Sequence, residues 1–410
     1  MDIVLRRCAL LRLETGETEP ERSVRIEGDR IVEVGGPDLR SDAAGELDCG
    51  GRTLMPGLID AHVHAAITTM DLAAMERKPV SLVAHEAGAI LDAMIRRGFT
   101  TIRDAGGADW GLAQAVERGL IRGPRIFFSG RVLSQTGGHG DFRPRFGEPP
   151  PCACGIHSTA FSHVADGVSA VRKAAREELR RGAAQVKIMA SGGVASPTDP
   201  VRNIQYSPEE MRAIVEEAHG WHTYAMAHAY TPEAVQRAVR AGVRTIEHGN
   251  LIDRETAESM REHGAYLVPT LVAYFKIEEL GKALRFPEVS LRKVRDVLDA
   301  GLASLELARE VGVPMGFGTD LLGETHVHQN EEFAIRSRVL KPLEILRSAT
   351  LVNAEILDRR GELGTVAPGA LADLLVVDGN PLENLSLLVE PEKNLALVMK
   401  AGEPIVNRLA

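Results

Sequence analysis

Six side chains of the types that bind divalent metal ions lie far apart in the sequence, each in or directly after a short apolar run. They are His62, His64, Lys187, His228, His248 and Asp320. Neutral imidazoles and carboxylates are typical ligands of Zn²⁺ and similar borderline ions. Parallel strands that close into a barrel bring their carboxyl ends to one mouth, where side chains from distant segments converge. The sequence therefore predicts a metal centre at the mouth of such a barrel.

The pair His62 and His64, within LIDAHVH, carries much of this prediction. Residues i and i+2 of a strand share a face, so both imidazoles point to the same side. Two such histidines are a weak signal on their own, because a strand histidine is more often a hydrogen-bonded core residue. The four further ligand-type residues at later strand ends favour metal binding over that alternative.

Lys187 allows two interpretations. Either its stem is buried while its ammonium reaches solvent, or its amine reacts with CO₂ to form a carbamate. Carbamate formation needs a neutral amine, which burial favours because burial disfavours the charged form. A carbamate is an anionic ligand with two oxygens that can bridge two metal ions. Beside the other ligands the carbamate is the favoured interpretation, and the sequence then predicts two divalent ions, with Zn²⁺ expected.

The elements that must position these residues alternate between strand-like and helix-like segments. Helix-like segments begin with N-cap and proline signals at Ser207-Pro208 and Thr231-Pro232. Alternating segments with eight strands predict an α/β fold, a (β/α)₈ barrel, over residues 58–351. The strand-like runs are 58–64, 99–106, 125–131, 184–191, 223–230, 243–249, 265–271 and 313–320.

Both ends of the chain alternate apolar and polar residues in the manner of β-strands. Residues 1–57 and 352–410 are therefore predicted to fold together into one small β-sandwich domain. Two connections of the barrel, 132–165 and 272–312, are too long for plain crossovers, and the second is expected to carry an extra helix.

Composition excludes some partners. The chain has 410 residues and a formal charge of −9, without a basic block, so neither nucleic acid nor an anionic membrane is an expected partner. No stretch approaches the ~20 apolar residues that span a bilayer, and the N-terminus lacks the features of a signal peptide. A cytoplasmic homo-oligomer is expected.

Cys152 and Cys154 form a C-x-C without a second pair, so they and the other cysteines are expected to be ordinary thiols.

Five features occur in order along the chain: MPGLIDAHVH, the strand-four lysine, the two later histidines, the strand-eight aspartate and the tail GTVAPGALADLLVVDGNPL. Together they resemble the amidohydrolase superfamily over essentially the whole chain. Within it, LSQTGGHGDFRP, KIMASGGVASPTDP and AHAYTPEA are similar to the imidazolonepropionase-related group. That group includes metal-dependent Xaa-Pro dipeptidases (prolidases) and dipeptidases for C-terminal Arg or Lys.

The resemblance implies roles for the matching residues. His62, His64 and Asp320 would hold the more buried ion, and His228 and His248 the more exposed one. A carbamylated Lys187 and a hydroxide would bridge the two ions, and this bridging hydroxide would attack the amide.

The same resemblance implies three catalytic roles. Asp320 would move the proton from the hydroxide to the leaving amine. Tyr230 would donate a hydrogen bond to the oxyanion. His139, in a Gly-rich loop, would bind the substrate carboxylate, with Arg143, Arg145 and Arg202 as weaker candidates.

The favoured substrate is an L-Xaa-L-Pro dipeptide, with Val194 and Val201 as an apolar wall for proline. Three alternatives stay open: a dipeptidase for C-terminal Arg or Lys, a cyclic-amide hydrolase and a mononuclear deaminase. A deaminase would keep the histidines and the aspartate but would not need Lys187. A pocket for a basic side chain needs a carboxylate, and the candidates are Asp141, Asp199, Glu324 and Glu331.

Overall fold

The computed structural model describes residues 2–39, 45–75, 78–143, 161–196 and 199–409. Within these ranges, the strands are β1 (Asp2–Arg12), β2 (Glu17–Glu27), β3 (Arg30–Gly35), β4 (Gly45–Asp48), β5 (Thr53–Pro56), β6 (Leu58–Val63), β7 (Phe99–Asp104), β8 (Arg125–Phe128), β9 (Val132–Ser134), β10 (Ser162–Val164), β11 (Val186–Met189), β12 (Ala225–Ala229), β13 (Thr245–His248), β14 (Tyr266–Val268), β15 (Leu374–Val377), β16 (Leu395–Lys400) and β17 (Glu403–Asn407).

The α-helices of the same ranges are α1 (Leu72–Met75), α2 (Val80–Arg96), α3 (Trp110–Glu117), α4 (Val168–Arg180), α5 (Pro208–Gly220), α6 (Pro232–Arg240), α7 (Arg254–Glu262), α8 (Leu271–Leu280), α9 (Glu288–Val311), α10 (Glu331–Arg336), α11 (Pro342–Arg347), α12 (Asn353–Ile356), α13 (Ser386–Val389) and α14 (Pro391–Asn394). A 3₁₀-helix covers Gly323–His328 and a π-helical turn covers Ser348–Val352. No helix in the described part of the chain is both long and apolar enough to cross a membrane.

The two ends of the chain share one sheet. Strand β5 pairs antiparallel with β15, which places Pro56 opposite Leu374. The described strands of both ends form one eight-stranded mixed sheet in the order β17-β16-β15-β5-β1-β2-β3, with β4 on β1. At the termini, the predicted small β-sandwich domain is a continuous mixed sheet, in which the long strand β1 pairs in parallel with both β4 and β5. The predicted domain boundaries stay a prediction.

Alternation of side chains gives the terminal sheet two buried faces. On one face Leu54 and Val376 belong to a core within the terminal strands. On the other face Met55 and Leu375 pack in the same core as Phe317. The sheet therefore shares one of its two cores with the segment that leads to Asp320.

The α/β part holds two parallel sheets, β6-β7-β8 and β10-β9-β11-β12-β13-β14. Seven of the eight predicted runs contain a strand of these sheets. The short strands β9 and β10 lie in the connection 132–165, where no strand was predicted. The extra helix predicted in 272–312 is present as α9, in addition to α8.

The eighth predicted run, 313–320, is not a regular strand. It forms only an isolated parallel bridge between Met315 and Leu267. On its other side, Ala61 N donates to Phe317 O at 2.8 Å. The side chain of Asn353 accepts from Phe317 N and donates to the carbonyls of Ile59 and Phe317. A side chain thus satisfies the backbone groups that a regular ladder would pair.

Gly318 explains how this segment approaches β6 so closely. A Cβ at Gly318 would lie 2.8 Å from the Cβ of His62 and 2.7 Å from a methyl of Val268. Only a residue without a side chain fits between these two strands. The glycine therefore lets the chain deliver Asp320 next to His62.

Candidate metal centre and active site

Five of the six predicted ligand residues meet at one place, near the carboxyl ends of β6, β12, β13 and the segment 313–320, and Lys187 of β11 lies close enough to interact electrostatically with Asp320. Asp320 Oδ1 lies 3.1 Å from Nε2 of His64 and 3.4 Å from Nε2 of His62. The rings of His228 and His248 are 4.6 Å apart, and those of His62 and His248 are 5.0 Å apart. The structure therefore brings residues from four segments into one cluster.

In His62 and His64, one ring nitrogen is hydrogen-bonded to an acceptor outside the cluster. His62 Nδ1 lies 2.7 Å from Glu247 Oε2, and His64 Nδ1 lies 2.8 Å from the carbonyl of Gly106. A hydrogen bond at one ring nitrogen fixes the tautomer and leaves the other nitrogen as a metal ligand. In both residues the nitrogen left over is Nε2, the atom that faces Asp320.

His228 and His248 use different ring nitrogens for their hydrogen bonds to the protein. His228 Nε2 lies 3.2 Å from the carbonyl of Gly192, which leaves Nδ1 for a ligand. His248 Nδ1 lies 2.8 Å from Thr270 Oγ1, which leaves Nε2. Burial lowers the pKa of both imidazoles well below the usual value, so both are neutral, as metal ligation requires.

The donor set fits a divalent ion. His62, His248 and Asp320 each offer a ligand atom within 4.8 Å of the others. Nε2 of His62 is buried and, among the described residues, has no hydrogen-bond partner of good geometry. A buried polar atom in that state is typical of a position that an ion or water completes. Two imidazoles and a carboxylate are a ligand set that Zn²⁺ takes in catalytic sites.

Lys187 lies in β11 and is 1% exposed. Burial lowers the pKa of its amine to about 8, although the carboxylates of Glu247 and Asp320 act in the opposite direction. The neutral amine that carbamate formation requires is therefore far more populated near neutral pH than in an ordinary lysine, although the ammonium still predominates below pH 8. The interpretation of Lys187 as a solvent-reaching ammonium is not compatible with this burial.

A buried ion pair between Arg103 and Glu247 holds His62 on the side away from the cluster. Arg103 donates to both carboxylate oxygens of Glu247 at 2.9 and 3.0 Å, and both side chains are fully buried. Burial raises the pKa of Glu247, but the charge of Arg103 and the hydrogen bond to His62 outweigh it and lower the pKa. Glu247 is therefore an anion that holds His62 Nδ1–H. The sequence did not predict this pair, although charged residues inside the apolar runs FTTIRD and RTIEH were a visible signal.

Two of the clustered residues have strained backbones. His248 has φ 73° and Asp320 has φ 54°. A non-glycine residue with positive φ costs on the order of 1–3 kcal/mol and persists where surrounding structure imposes it. Both residues end a strand-like run, so the left-handed backbone turns each side chain back toward the cluster.

Tyr230 lies at the same strand end as His228 and packs against His248. Its ring stacks on His248 with centroids 5.2 Å apart and an interplanar angle of 17°. Its hydroxyl lies 2.8 Å from the hydroxyl of Tyr274, a residue of α8 that the sequence did not single out. The predicted oxyanion donor is thus beside the cluster and has a fixed neighbour.

His139 also reaches the cluster. Its ring stacks on His228 with centroids 4.3 Å apart and an interplanar angle of 18°. Its Nδ1 lies 2.8 Å from Ser196 Oγ and 3.5 Å from Asp199 Oδ2. A Cβ at Gly193 would lie 2.2 Å from the ring, so the backbone of the loop after β11 lies directly on the imidazole.

Lys293 of helix α9 holds that loop in place. Its Nζ donates to the carbonyls of Gly193, Ser196 and Asp199 at 2.9, 2.8 and 2.6 Å. One ammonium therefore binds three points of the loop that contacts His139. In the sequence Lys293 was indistinguishable from a solvated lysine on a helix.

The remaining candidates are mostly occupied or remote. Arg143 pairs with Asp141 at 2.6 Å, and Glu331 pairs with Lys276 at 2.7 Å. Glu324 accepts from the backbone of Met70 at 3.0 Å, and Arg202 is exposed. Three predicted residues lie outside the described residues, namely Arg145, Cys152 and Cys154. Val194 and Val201 are buried in the same apolar cluster as Tyr230 and Tyr274.

Residues 53–405 match the family model of the amidohydrolase family. The chain belongs to the amidohydrolase family. This confirms the recognition made from the sequence motifs and identifies the chain as a hydrolase of that superfamily.

Solved structures show the same likeness. A prolidase in complex with N-methylphosphonate-L-proline is 52% identical, with a TM-score of 0.97 over 99% of this chain and 100% of that one. A Xaa-Pro dipeptidase with methionine bound in its active site is 30% identical, with a TM-score of 0.86 over 98% and 99% of the two chains.

Curated relatives point to more than one substrate. The ochratoxinase of Aspergillus niger is 33% identical over 366 residues, which are 85% of this chain and 75% of that protein. An imidazolonepropionase of Cereibacter sphaeroides is 25% identical over an alignment of 411 positions, gaps included, that covers 91% of this chain and 92% of that protein. The amidohydrolase family is therefore established for this chain, and its substrate is a separate question.

Proposed function

We propose that this amidohydrolase is a binuclear metal-dependent dipeptidase that cleaves L-Xaa-L-Pro. The observation that carries the proposal is the orientation of the four histidines, each with one nitrogen committed to the protein and the other left for a ligand. A deaminase with one metal would leave Lys187 without a role.

The proposed ligands form two groups. His62, His64 and Asp320 would hold one ion, and His228 and His248 the other, with carbamylated Lys187 between them. Two divalent ions held by these residues would supply a nucleophile at neutral pH and polarise the scissile carbonyl. We further propose that the two parallel sheets and the segment 313–320 close into the (β/α)₈ barrel that this arrangement requires.

Asp320 is the proposed proton carrier. Burial raises the pKa of its carboxyl, but His62 and His64 outweigh this and lower the pKa well below the usual range. The carboxylate is therefore ionised, which is the state in which a proton carrier must begin. It is also partly exposed, with 22% of the side chain accessible, so it reaches the space where the leaving amine would lie.

The proposed substrate contacts lie on either side of His228. His139 would bind the free carboxylate, and Tyr230 would donate to the oxyanion. Val194 and Val201 supply an apolar wall for the proline ring. The prolidase and Xaa-Pro dipeptidase neighbours support this choice of substrate.

Cleavage of an ochratoxin is the second candidate, because the ochratoxinase relative is 33% identical. A preference for C-terminal Arg or Lys has less support. Of its candidate carboxylates, Asp141 is neutralised by Arg143 and Glu331 by Lys276, while Asp199 is buried beside His139.

The test is the value of kcat/KM for the Zn²⁺-loaded protein across a substrate panel. The panel holds L-Ala-L-Pro, its proline amide, L-Ala-L-Arg, a cyclic amide and an ochratoxin. We expect L-Ala-L-Pro to have the highest value. Amidation should cost about 2–5 kcal/mol of transition-state binding if the carboxylate contact is charged and desolvated. A higher value for L-Ala-L-Arg, for the ring or for the ochratoxin would overturn the proline assignment.

His139→Ala locates the carboxylate contact. We expect this variant to lose as much activity on L-Ala-L-Pro as amidation of the substrate costs the wild type, and to lose little more on the amidated substrate. His219→Ala, an exposed histidine at the end of α5, is the matched control. If His139→Ala lowers activity equally on both substrates, the carboxylate is bound elsewhere.

A further inference from the structure

Cys8 and Cys49 place two thiols in direct contact inside the core of the terminal sheet. Their sulfur atoms lie 3.0 Å apart, within hydrogen-bond distance for sulfur. Both side chains are fully buried, and both belong to the same apolar cluster as Leu54 and Val376. A disulfide joins its sulfurs at about 2.05 Å, so the two atoms are about 1 Å from bonding distance.

Backbone hydrogen bonds hold the two cysteines in this position. The N–H of Cys49 donates to the carbonyl of Arg6 at 2.8 Å, just before Cys8 in β1. Just after Cys8, the N–H of Ala9 donates to the carbonyl of Arg52 at 2.9 Å. The segment that carries Cys49 is therefore tied to β1 on both sides of Cys8.

Two glycines directly after Cys49 form the turn that returns the chain to β1. Gly50 has φ 59° and Gly51 has φ 78°, a conformation that glycine adopts at little cost. Arg52 N donates back to Cys49 O at 3.1 Å, which closes the turn. The closed turn leaves the backbone of Cys49 little freedom to move away from Cys8.

A buried cysteine ordinarily serves as a small apolar side chain. A second thiol in contact adds a chemical property, because it can condense with the sulfenic acid that an oxidant forms on the first. The contact with Cys49 and burial raise the pKa of the Cys8 thiol, so this thiol is protonated at neutral pH. The pair therefore stays reduced under ordinary conditions and reacts on prolonged exposure to an oxidant.

We propose that Cys8 and Cys49 are an oxidation site, at which a peroxide forms a reversible disulfide that stabilises the terminal sheet. The sulfur of one cysteine attacks a peroxide oxygen, the O–O bond breaks, and the thiol proton leaves with the other oxygen as water. The sulfur of the second cysteine then attacks the sulfenic sulfur, the S–O bond breaks, and a second water leaves. Two thiols are oxidised to one disulfide while one peroxide is reduced to two waters.

The bond would connect residues 41 positions apart in the sequence. A cross-link across a loop of that length removes conformational freedom chiefly from the unfolded chain, which stabilises the folded state. Neither cysteine belongs to the proposed metal centre. The proposal is therefore independent of the proposed function.

The test is non-reducing peptide mapping of the full-length wild type after prolonged exposure to hydrogen peroxide, with urea unfolding of the same sample. We expect a cross-linked species that joins the peptide of Cys8 to that of Cys49. The urea midpoint of the oxidised protein should fall by roughly 0.5–1 M when dithiothreitol is added. Dithiothreitol reduces disulfides and leaves oxidised methionines unchanged, so the difference reports on disulfides alone.

Cys49→Ala is the matched control, because it keeps the other three cysteines. After the same exposure, its urea midpoint should be equal with and without dithiothreitol. Cys8→Ala should behave in the same way and replaces this control if Cys49→Ala folds poorly. A shift of wild-type size in either variant would assign the stabilisation to other cysteines and overturn the proposal.

Two results in the wild type alone would also overturn it. In the first, peroxide leaves Cys8 and Cys49 free or converts them to sulfinic acids without a cross-link. In the second, the cross-link forms but dithiothreitol does not change the urea midpoint, so the bond does not stabilise the sheet. Both results are read without any measurement of activity.

Discussion

The residues of the site are oriented before any ligand binds. Glu247, Gly106, Gly192 and Thr270 each fix one imidazole, and the choice of nitrogen differs only at His228. Partners of this kind are worth 10- to 100-fold in metal affinity or activity. The chemistry of the site therefore depends on residues that never touch the substrate.

Asp320→Asn tests the proton carrier. The amide keeps the size of the side chain and one oxygen, but it cannot accept a proton at neutral pH. We expect kcat for L-Ala-L-Pro to fall at least ~100-fold, the lower range for loss of a general base, with an unchanged circular dichroism spectrum. Asp299→Asn, on the exposed face of α9, is the control. Retention of more than a few per cent of activity would show that another base is used.

At the scale of elements, the irregular segment 313–320 matters most for the site, because it carries Asp320. The run 313–320 was predicted as a strand from its apolar pattern. It keeps backbone hydrogen bonds to Leu267, Ala61 and His62, but the side chain of Asn353 takes the N–H of Phe317 in place of a neighbouring strand. Buried Arg336 donates to the carbonyls of Gly316 and Pro269 at 2.8 and 2.7 Å and pairs with Glu332 at 2.7 Å. Side chains from later helices thus hold the segment that carries Asp320.

Arg336→Met tests this support. The change leaves Glu332 buried without its partner, which typically costs about 3–5 kcal/mol. We expect a loss of that size in the free energy of unfolding, measured by urea denaturation at pH 8. Arg292→Met, at an exposed ion pair of α9, should change it little. Equal stability of the two variants would contradict the structural role of Arg336.

Lys293→Met tests the loop at His139. Loss of the ammonium releases three carbonyls but keeps the stem, so the loop loosens while the metal cluster is untouched. We expect KM for L-Ala-L-Pro to rise roughly 10-fold, the equivalent of one or two hydrogen bonds, with kcat nearly unchanged. Lys282→Met is the exposed control. A fall in kcat without a change in KM would show that the loop serves the chemistry and not substrate binding.

These elements also mark what the sequence could predict. Seven strands and five clustered residues followed from apolar runs and residue types, because those signals are local. The Arg103–Glu247 pair, the His248–Thr270 contact and the Lys293 contacts join residues at least 22 and up to 144 positions apart. A buried arginine and a solvated one have the same letter, so only the packed structure distinguishes them.

At the scale of the whole molecule, the site depends on the complete fold. Its residues come from β6 through to Asp320, and the segment before Asp320 shares a core with the terminal sheet. Such ligands are far apart in the unfolded chain, so metal binding and folding are thermodynamically linked. Both ends of the chain therefore support the site through this shared core.

The most direct test of the account is the number of metal ions per chain. The protein would be titrated with Zn²⁺ in bicarbonate buffer, freed of excess metal and measured by elemental analysis, beside Lys187→Ala. The account predicts nearly two equivalents in the wild type and a clear loss in the variant, because the proposed carbamate would be a ligand of both ions. A wild-type value that never exceeds one, or a variant that still holds two, would contradict the binuclear site.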